Sequence, residues 1–239
     1  MELEQVAERL NGRLVRAWPL EGGVSAHTTA IEVGERTYIV REHRESALEF
    51  SLLQVLEGTV IPVPRPRLLD ENGKYLVIDY VQSGPPPEPP DVARALADGL
   101  AEIHRFDTTE LAFLPTLDKP GVLLHGDLWP GNVLWQEGRI AAIVDWEDAA
   151  LGDPLRDLAV SRLELLWAYG REEMDEFTAR YRTARPNVDL TALPERDLEA
   201  AERLTPQLPN WGLDPELEST MRERSAAFAA EARRQLRGR

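Results

Sequence analysis

His125-Gly126-Asp127-Leu128-Trp129-Pro130-Gly131-Asn132 sets a carboxylate and, five residues on, a carboxamide in one short stretch, and Ile143-Val144-Asp145-Trp146-Glu147 adds a second carboxylate downstream. These are the groups that phosphoryl transfer needs. Asp127 could accept a hydroxyl proton, while Asn132 and Asp145 offer the oxygen ligands that a small hard cation such as magnesium takes beside phosphates and water. A capped turn at H-x-D and a simple cap at Asp145 are the competing readings. With only four histidines in the chain, the H-x-D-x-x-x-x-N pattern arises by chance in roughly one such sequence in a hundred or fewer.

The flanking residues explain how these groups could meet. Val133-Leu134-Trp135 and Ile140-Ala141-Ala142-Ile143-Val144 are short apolar runs joined by Glu137-Gly138-Arg139, the pattern of a tight hairpin. Asn132 would precede one strand and Asp145 would end the other, so a hairpin can bring both ligands to one end, near Asp127.

HGDLWPGN, IVDWEDA and the following Gly152-Asp153-Pro154-Leu155-Arg156-Asp157-Leu158-Ala159 resemble the aminoglycoside phosphotransferase and choline kinase-like family, small-molecule relatives of the protein kinases. The resemblance implies an α+β, bilobal protein kinase-like fold with a small antiparallel-sheet N-lobe and a mainly helical C-lobe. It also implies a nucleotide held between the lobes and a hydroxyl acceptor over the larger one. Asp127 is then the catalytic base, Asn132 and Asp145 the metal ligands, and His125 and Asp157 supporting residues. Asp153 and Asp157 are expected to cap a helix or brace the catalytic loop.

Upstream parts follow the same resemblance. Glu21-Gly22-Gly23-Val24-Ser25 reads as a glycine turn between strands, able to bring backbone N–H groups and the Ser25 hydroxyl close to phosphates. The segments Thr28 to Val33 and Thr37 to Val40 read as two further strands. Arg41 falls where the family places a basic residue against nucleotide phosphates, with arginine in place of the lysine of protein kinases. Glu45 to Leu56 has Leu48, Leu52, Val55 and Leu56 at helical spacing; on it Glu49, with Glu45 as the substitute, would pair with Arg41. Leu68-Leu69, Asn72-Gly73 and Tyr75 to Val81 suggest two antiparallel strands. The second resembles the hinge strand, where backbone groups of Asp79 and Val81 would bind the nucleotide base.

Five prolines in Pro85 to Pro90 mark a boundary. It separates residues 1–81, a nucleotide-binding lobe, from 91–239, a catalytic and acceptor-binding lobe, with 82–90 as a stiff connector. Asp91 offers a cap for a helix from Val92 to Phe106, whose His104 reads as structural. Further helices are predicted over Leu158 to Tyr169, Glu172 to Arg185, Pro194 to Leu204 and Pro215 to Leu236. Trp211, Glu164 and Asp214 are candidate pocket residues, with core or surface placement as the alternative. Only a short stretch separates His104 from His125, where antibiotic-modifying members usually carry extra helices, so the acceptor site reads as reduced.

The formal charge of −15 argues against nucleic acid as a partner, because a phosphate backbone requires clustered basic groups. Most of that charge lies in residues 1–152, which carry −12, against −3 for 153–239. There are no cysteines, hence no disulfide framework, thiolate zinc site or cysteine nucleophile. No apolar run reaches the ~20 residues of a membrane helix, and the start lacks the features of a signal peptide, so the expected location is the cytoplasm. The residues thus point to a magnesium-dependent phosphotransferase that moves the γ-phosphate of ATP or GTP to a hydroxylated small molecule. A nucleotide-binding pseudokinase with a regulatory or scaffold role is the alternative. A metal-dependent hydrolase using His125, Asp127 and Asp145 is a further rival, and it leaves Arg41 and the hinge pattern unexplained.

Overall fold

Period-two alternation between residues 14 and 79 builds a five-stranded antiparallel sheet from β1 (Leu14–Pro19), β2 (His27–Val33), β3 (Arg36–Glu42), β4 (Pro66–Leu69) and β5 (Tyr75–Asp79), in the order β1-β2-β3-β5-β4. The computed structural model describes residues 2–20 and 27–238. Its chain divides into two compact units, Met1–Gly84 with Leu134–Glu147, and Pro85–Val133 with Asp148–Arg239.

In the first unit, alternation puts Tyr38 and Val40 of β3 on one face with Ile31, Val33 and Val77. Together with Leu68 they pack over Val6 and Ala7 of α1 (Leu3–Arg9). That helix is absent from the sequence reading, since seven residues are too few to display a helical period. Helix α2 (Ser46–Leu56) packs against β4 and β5 and buries Leu52, Leu53 and Leu56. Strands β7 (Val133–Gln136) and β8 (Arg139–Ile143) form the expected hairpin. Its turn residues Glu137 (φ +50°) and Gly138 (φ +74°) are both left-handed, as a two-residue type I′ connection requires. Three hydrogen bonds explain why residues 134–147 group with the N-terminal sheet, although the sequence reading assigns them to residues 91–239. Gly84 N donates to Trp135 O at 2.7 Å, Trp135 N to Ser83 Oγ at 3.1 Å, and Ile143 N to Pro62 O at 2.7 Å.

The second unit is helical around one small strand pair. Strands β6 (Val122–Leu124) and β9 (Ala150–Gly152) run antiparallel, Leu124 opposite Ala150. Helix α3 (Pro89–Ile103) packs on α5 (Arg171–Ala184), and α4 (Pro154–Ala168) packs on α5, α6 (Leu193–Leu204) and α7 (Pro215–Arg237). Helix α3 begins earlier than its predicted cap: Pro89 and Pro90 form its first turn, where their missing N–H groups cost nothing, and Asp91 lies inside it. The connector is therefore shorter than the proline run. Asp153 caps α4 by accepting from Leu155 N at 3.0 Å, and Asp214 caps α7 from Glu216 N at 2.9 Å.

Candidate active site

The loop carrying Asp127 is held from below by one buried carboxylate. Asp157, in the first turn of α4, accepts from the backbone N–H of His125 at 2.7 Å and of Gly126 at 2.9 Å, one oxygen for each. His104 Nε2 lies 3.3 Å from the same carboxylate, and its Nδ1 lies 2.6 Å from the Tyr181 hydroxyl. Burial by itself would push the Asp157 pKa up, but the His104 hydrogen bond, the charges of His104 and His125, and the His125 N–H hold it below the usual carboxylate range. A fully buried but well-donated carboxylate is thus kept ionised, and the loop backbone is pinned by it. Gly126 makes the approach possible: its φ is +87°, and a Cβ there would stand 2.5 Å from the carbonyl of Asp148.

Above this brace, a 3-10 turn over Pro130–Asn132 returns the chain toward Asp127. Asn132 Nδ2 donates to the Asp127 carbonyl at 2.8 Å and to its Oδ2 at 3.0 Å. The amide's donors are thereby spent inside the loop, which leaves its carbonyl oxygen as the group offered to a cation. Ser161 of α4 adds a second tie, donating from Oγ to Leu128 O at 2.7 Å. One turn further along α4, Glu164 is 8% exposed. Burial first, and the Asp127 charge second, raise its pKa to about 8, against a lowering by Arg203. Glu164 is therefore mostly protonated at neutral pH.

In the first unit a second constellation forms around Arg41, at 6% exposure near the end of β3. Its NH1 donates to Glu49 Oε1 and its NH2 to Asp145 Oδ1, both at 2.5 Å. Burial would lower the guanidinium pKa, but Glu49, Asp145 and Glu147 raise it above its ordinary value, so the charge is permanent. Glu49 is 1% exposed and is the pairing residue; Glu45 occupies the position before α2 and makes no side-chain cap. Asp145 has φ +67°, a left-handed conformation that costs a non-glycine about 1 kcal/mol or more and marks a position held for its side-chain direction. Three residues missed by sequence reasoning complete the cluster. His43 Nε2 lies 2.6 Å from Glu49 Oε2, His43 Nδ1 lies 3.4 Å from Glu147 Oε2, and Trp146 N donates to Glu49 Oε1 at 3.4 Å. A signal existed for His43: residues two apart in extended chain share a face, so it follows Arg41 on the same side.

Among the other predicted residues, Ser25 and its glycine turn lie outside the described residues. Asp79 ends β5, with Val81 just beyond it. The Asp79 N–H donates to Arg65 O at 2.9 Å. Its side chain pairs with Arg67 through two 2.6 Å hydrogen bonds across neighbouring strands. His104 is buried and structural, Trp211 stacks edge-on against Trp167 with ring centres 5.8 Å apart, and Asp214 is a helix cap. Among the described residues, no three His, Cys, Asp or Glu side chains cluster as a metal cage, and no helix is long and apolar enough to cross a membrane. A donor set of one carboxylate and one amide is of the kind magnesium takes when phosphates supply the remaining oxygens.

Comparison with known proteins agrees with the resemblance. The sequence profile described as "Phosphotransferase enzyme family" matches residues 17–114 and 110–191. Viomycin phosphotransferase of Streptomyces vinaceus is 38% identical over 68 residues, 27% of this chain; the match spans 23% of that relative's length. Choline kinase LicA of Streptococcus pneumoniae superposes with a TM-score of 0.69 at 17% identity, over 96% of this chain and 98% of that one. Aminoglycoside phosphotransferase APH(4)-Ia, in a ternary complex with ADP and hygromycin B, gives 0.68 at 16% identity over the same shares. Macrolide 2'-phosphotransferase MphH of Brachybacterium faecium gives 0.67 at 19%, over 95% and 97%.

Proposed function

The chain belongs to the phosphotransferase enzyme family, and from that membership we propose that it transfers the γ-phosphate of ATP to a hydroxyl of a small molecule. The observation that carries this reading is the Asp127 loop. There, a carboxylate is oriented by the Asn132 amide while Asp157 grips the backbone on the N-terminal side. Such a loop suits a base that must meet an acceptor hydroxyl at one angle, because phosphoryl transfer depends mainly on positioning and electrostatics.

In this reading Asp127 orients the hydroxyl and takes its proton as the new bond to phosphorus forms. Arg41, held by Glu49, binds phosphate oxygens, and the Asp79 carbonyl and the Val81 N–H contact the base. Ser25 would add a hydroxyl donor to the phosphates. Asn132 and Asp145 would hold magnesium, whose charge offsets that of the phosphates. Glu164, one turn from the serine that ties α4 to the loop, borders the acceptor. Acceptors range over sugars, amino alcohols and hydroxylated antibiotics.

The test is magnesium-dependent ADP release from ATP, with GTP in parallel, across a panel of hydroxylated metabolites and antibiotics. Stimulation by one compound that disappears in Asp127→Asn is the expected result. Nucleotide binding with no stimulated release by any compound would favour the pseudokinase reading instead.

A further inference from the structure

Glu49 is held by more donors than its pairing with Arg41 requires. Its Oε1 accepts from Arg41 NH1 at 2.5 Å and from the Trp146 N–H at 3.4 Å, while its Oε2 is occupied by His43 Nε2 at 2.6 Å. Because the other groups at this carboxylate are donors and its charge is already shared with Arg41, His43 Nε2 acts as a donor here. The imidazole is 2% exposed, and its Nδ1, which has no hydrogen-bond partner among the described residues, lies 3.4 Å from Glu147 Oε2. Ser46 secures the backbone at this residue: its Oγ donates to His43 O at 2.9 Å and accepts from His43 N at 3.3 Å. The ring is therefore fixed in place between two carboxylates.

This arrangement bears on Arg41, whose second partner is Asp145 Oδ1 at 2.5 Å. If Asp145 ligates magnesium and Arg41 meets phosphate oxygens, the bond between them competes with both contacts when nucleotide arrives. A guanidinium drawn toward phosphates pulls on the carboxylate it keeps. Against that pull the second oxygen of Glu49 is anchored by His43 at 2.6 Å, the shorter of its two contacts other than Arg41.

We propose that His43 is a positioning residue: it anchors Glu49 so that Arg41 can exchange Asp145 for nucleotide phosphates without losing its glutamate partner. This rests on the nucleotide reading given above. His43 touches no reacting atom in this account and acts through Glu49 alone.

The experiment is a calorimetric titration with Mg·ADP of the wild-type chain and of His43→Leu, His43→Gln and His43→Asn, each checked for folding by thermal unfolding. Glutamine can place a donor where Nε2 stands; asparagine is too short to reach Glu49. Loss of a hydrogen bond to a charged group should weaken binding about tenfold in His43→Leu and His43→Asn, with His43→Gln within about threefold of wild type. A purely structural role would lower thermal stability in all three and leave the order of affinities flat. Equal Mg·ADP affinity in the glutamine and asparagine variants would overturn the proposal, even if the leucine variant does not fold. Absence of Mg·ADP binding by the wild-type chain would instead overturn the nucleotide reading, and the proposal with it.

Discussion

Asp127, Asn132, Asp145, Arg41 and Glu49 illustrate how far residue type and spacing can go. Asp127, Asn132 and Asp145 stood out by type and spacing, as a carboxylate, an amide five residues later and a carboxylate after an apolar run, whereas Arg41 and Glu49 were singled out by the family resemblance. The structure joins Arg41 to both Glu49 and Asp145, and Asn132 to Asp127. His43 escaped notice although it stands two residues after Arg41, because that offset names no partner; its burial beside Glu49 and Glu147 supplies one. On the proposed function, Asp127→Asn should lower kcat about a thousandfold or more while leaving Mg·ADP affinity within a few-fold, since a base acts in the transition state and does not hold nucleotide. Single-turnover rates together with nucleotide titration measure both quantities. A tenfold loss of Mg·ADP affinity in this variant would assign Asp127 to nucleotide binding instead.

The elements follow from local rules, and their glycines make those rules testable. Gly138 and Gly126 both have positive φ, yet a Cβ at Gly138 meets nothing within 4 Å, whereas one at Gly126 stands 2.5 Å from the Asp148 carbonyl. Gly138→Ala should therefore cost only the left-handed strain, about 1 kcal/mol, and leave turnover nearly unchanged. Gly126→Ala adds a backbone clash beneath the Asp127 loop and should cost roughly 2–4 kcal/mol, with turnover falling as the loop shifts. Urea unfolding and kcat of the two variants decide this; equal losses of stability would show that the close approach at Gly126 is unimportant. Helices α3 to α7 were visible in advance because their apolar spacing and caps are local. Helix α1 and the β6–β9 pair were not, being too short to carry a period and existing only through what they pack against or pair with.

Two buried carboxyl groups shape the pH response of the whole molecule in opposite senses. Asp157 has a lowered pKa in the folded state, so its contribution is present above the ordinary value of 3.8 and is lost as pH falls through the lowered one. Glu164 has its pKa raised from 4.5 to about 8. The folded state then binds more protons than the unfolded chain between those values, and stability declines as pH rises across that window, by up to ~5 kcal/mol for a shift of this size. Thermal midpoints from pH 4 to 9 should fall toward the alkaline end, and Glu164→Gln should flatten that decline; an unchanged slope in the variant would remove Glu164 as its cause. With a formal charge of −15, self-repulsion should also make the midpoint rise on going from ~10 to ~200 mM sodium chloride, as screening shortens its range.

Sequence by itself determined most of the helices and strands, because hydrophobic period and turn chemistry act between residues close in the chain, and its motifs carried the resemblance that implied the α+β class. Tertiary structure decided what depends on distant segments meeting. The hairpin after Asn132 joins the N-terminal unit through hydrogen bonds to residues 62, 83 and 84. Asp157 braces a loop some thirty residues earlier, and the Asp79 side chain is committed to Arg67. Glu164 holds a proton because burial removes the water that would stabilise its charge, and desolvation of that kind is set by packing and has no signature in local sequence.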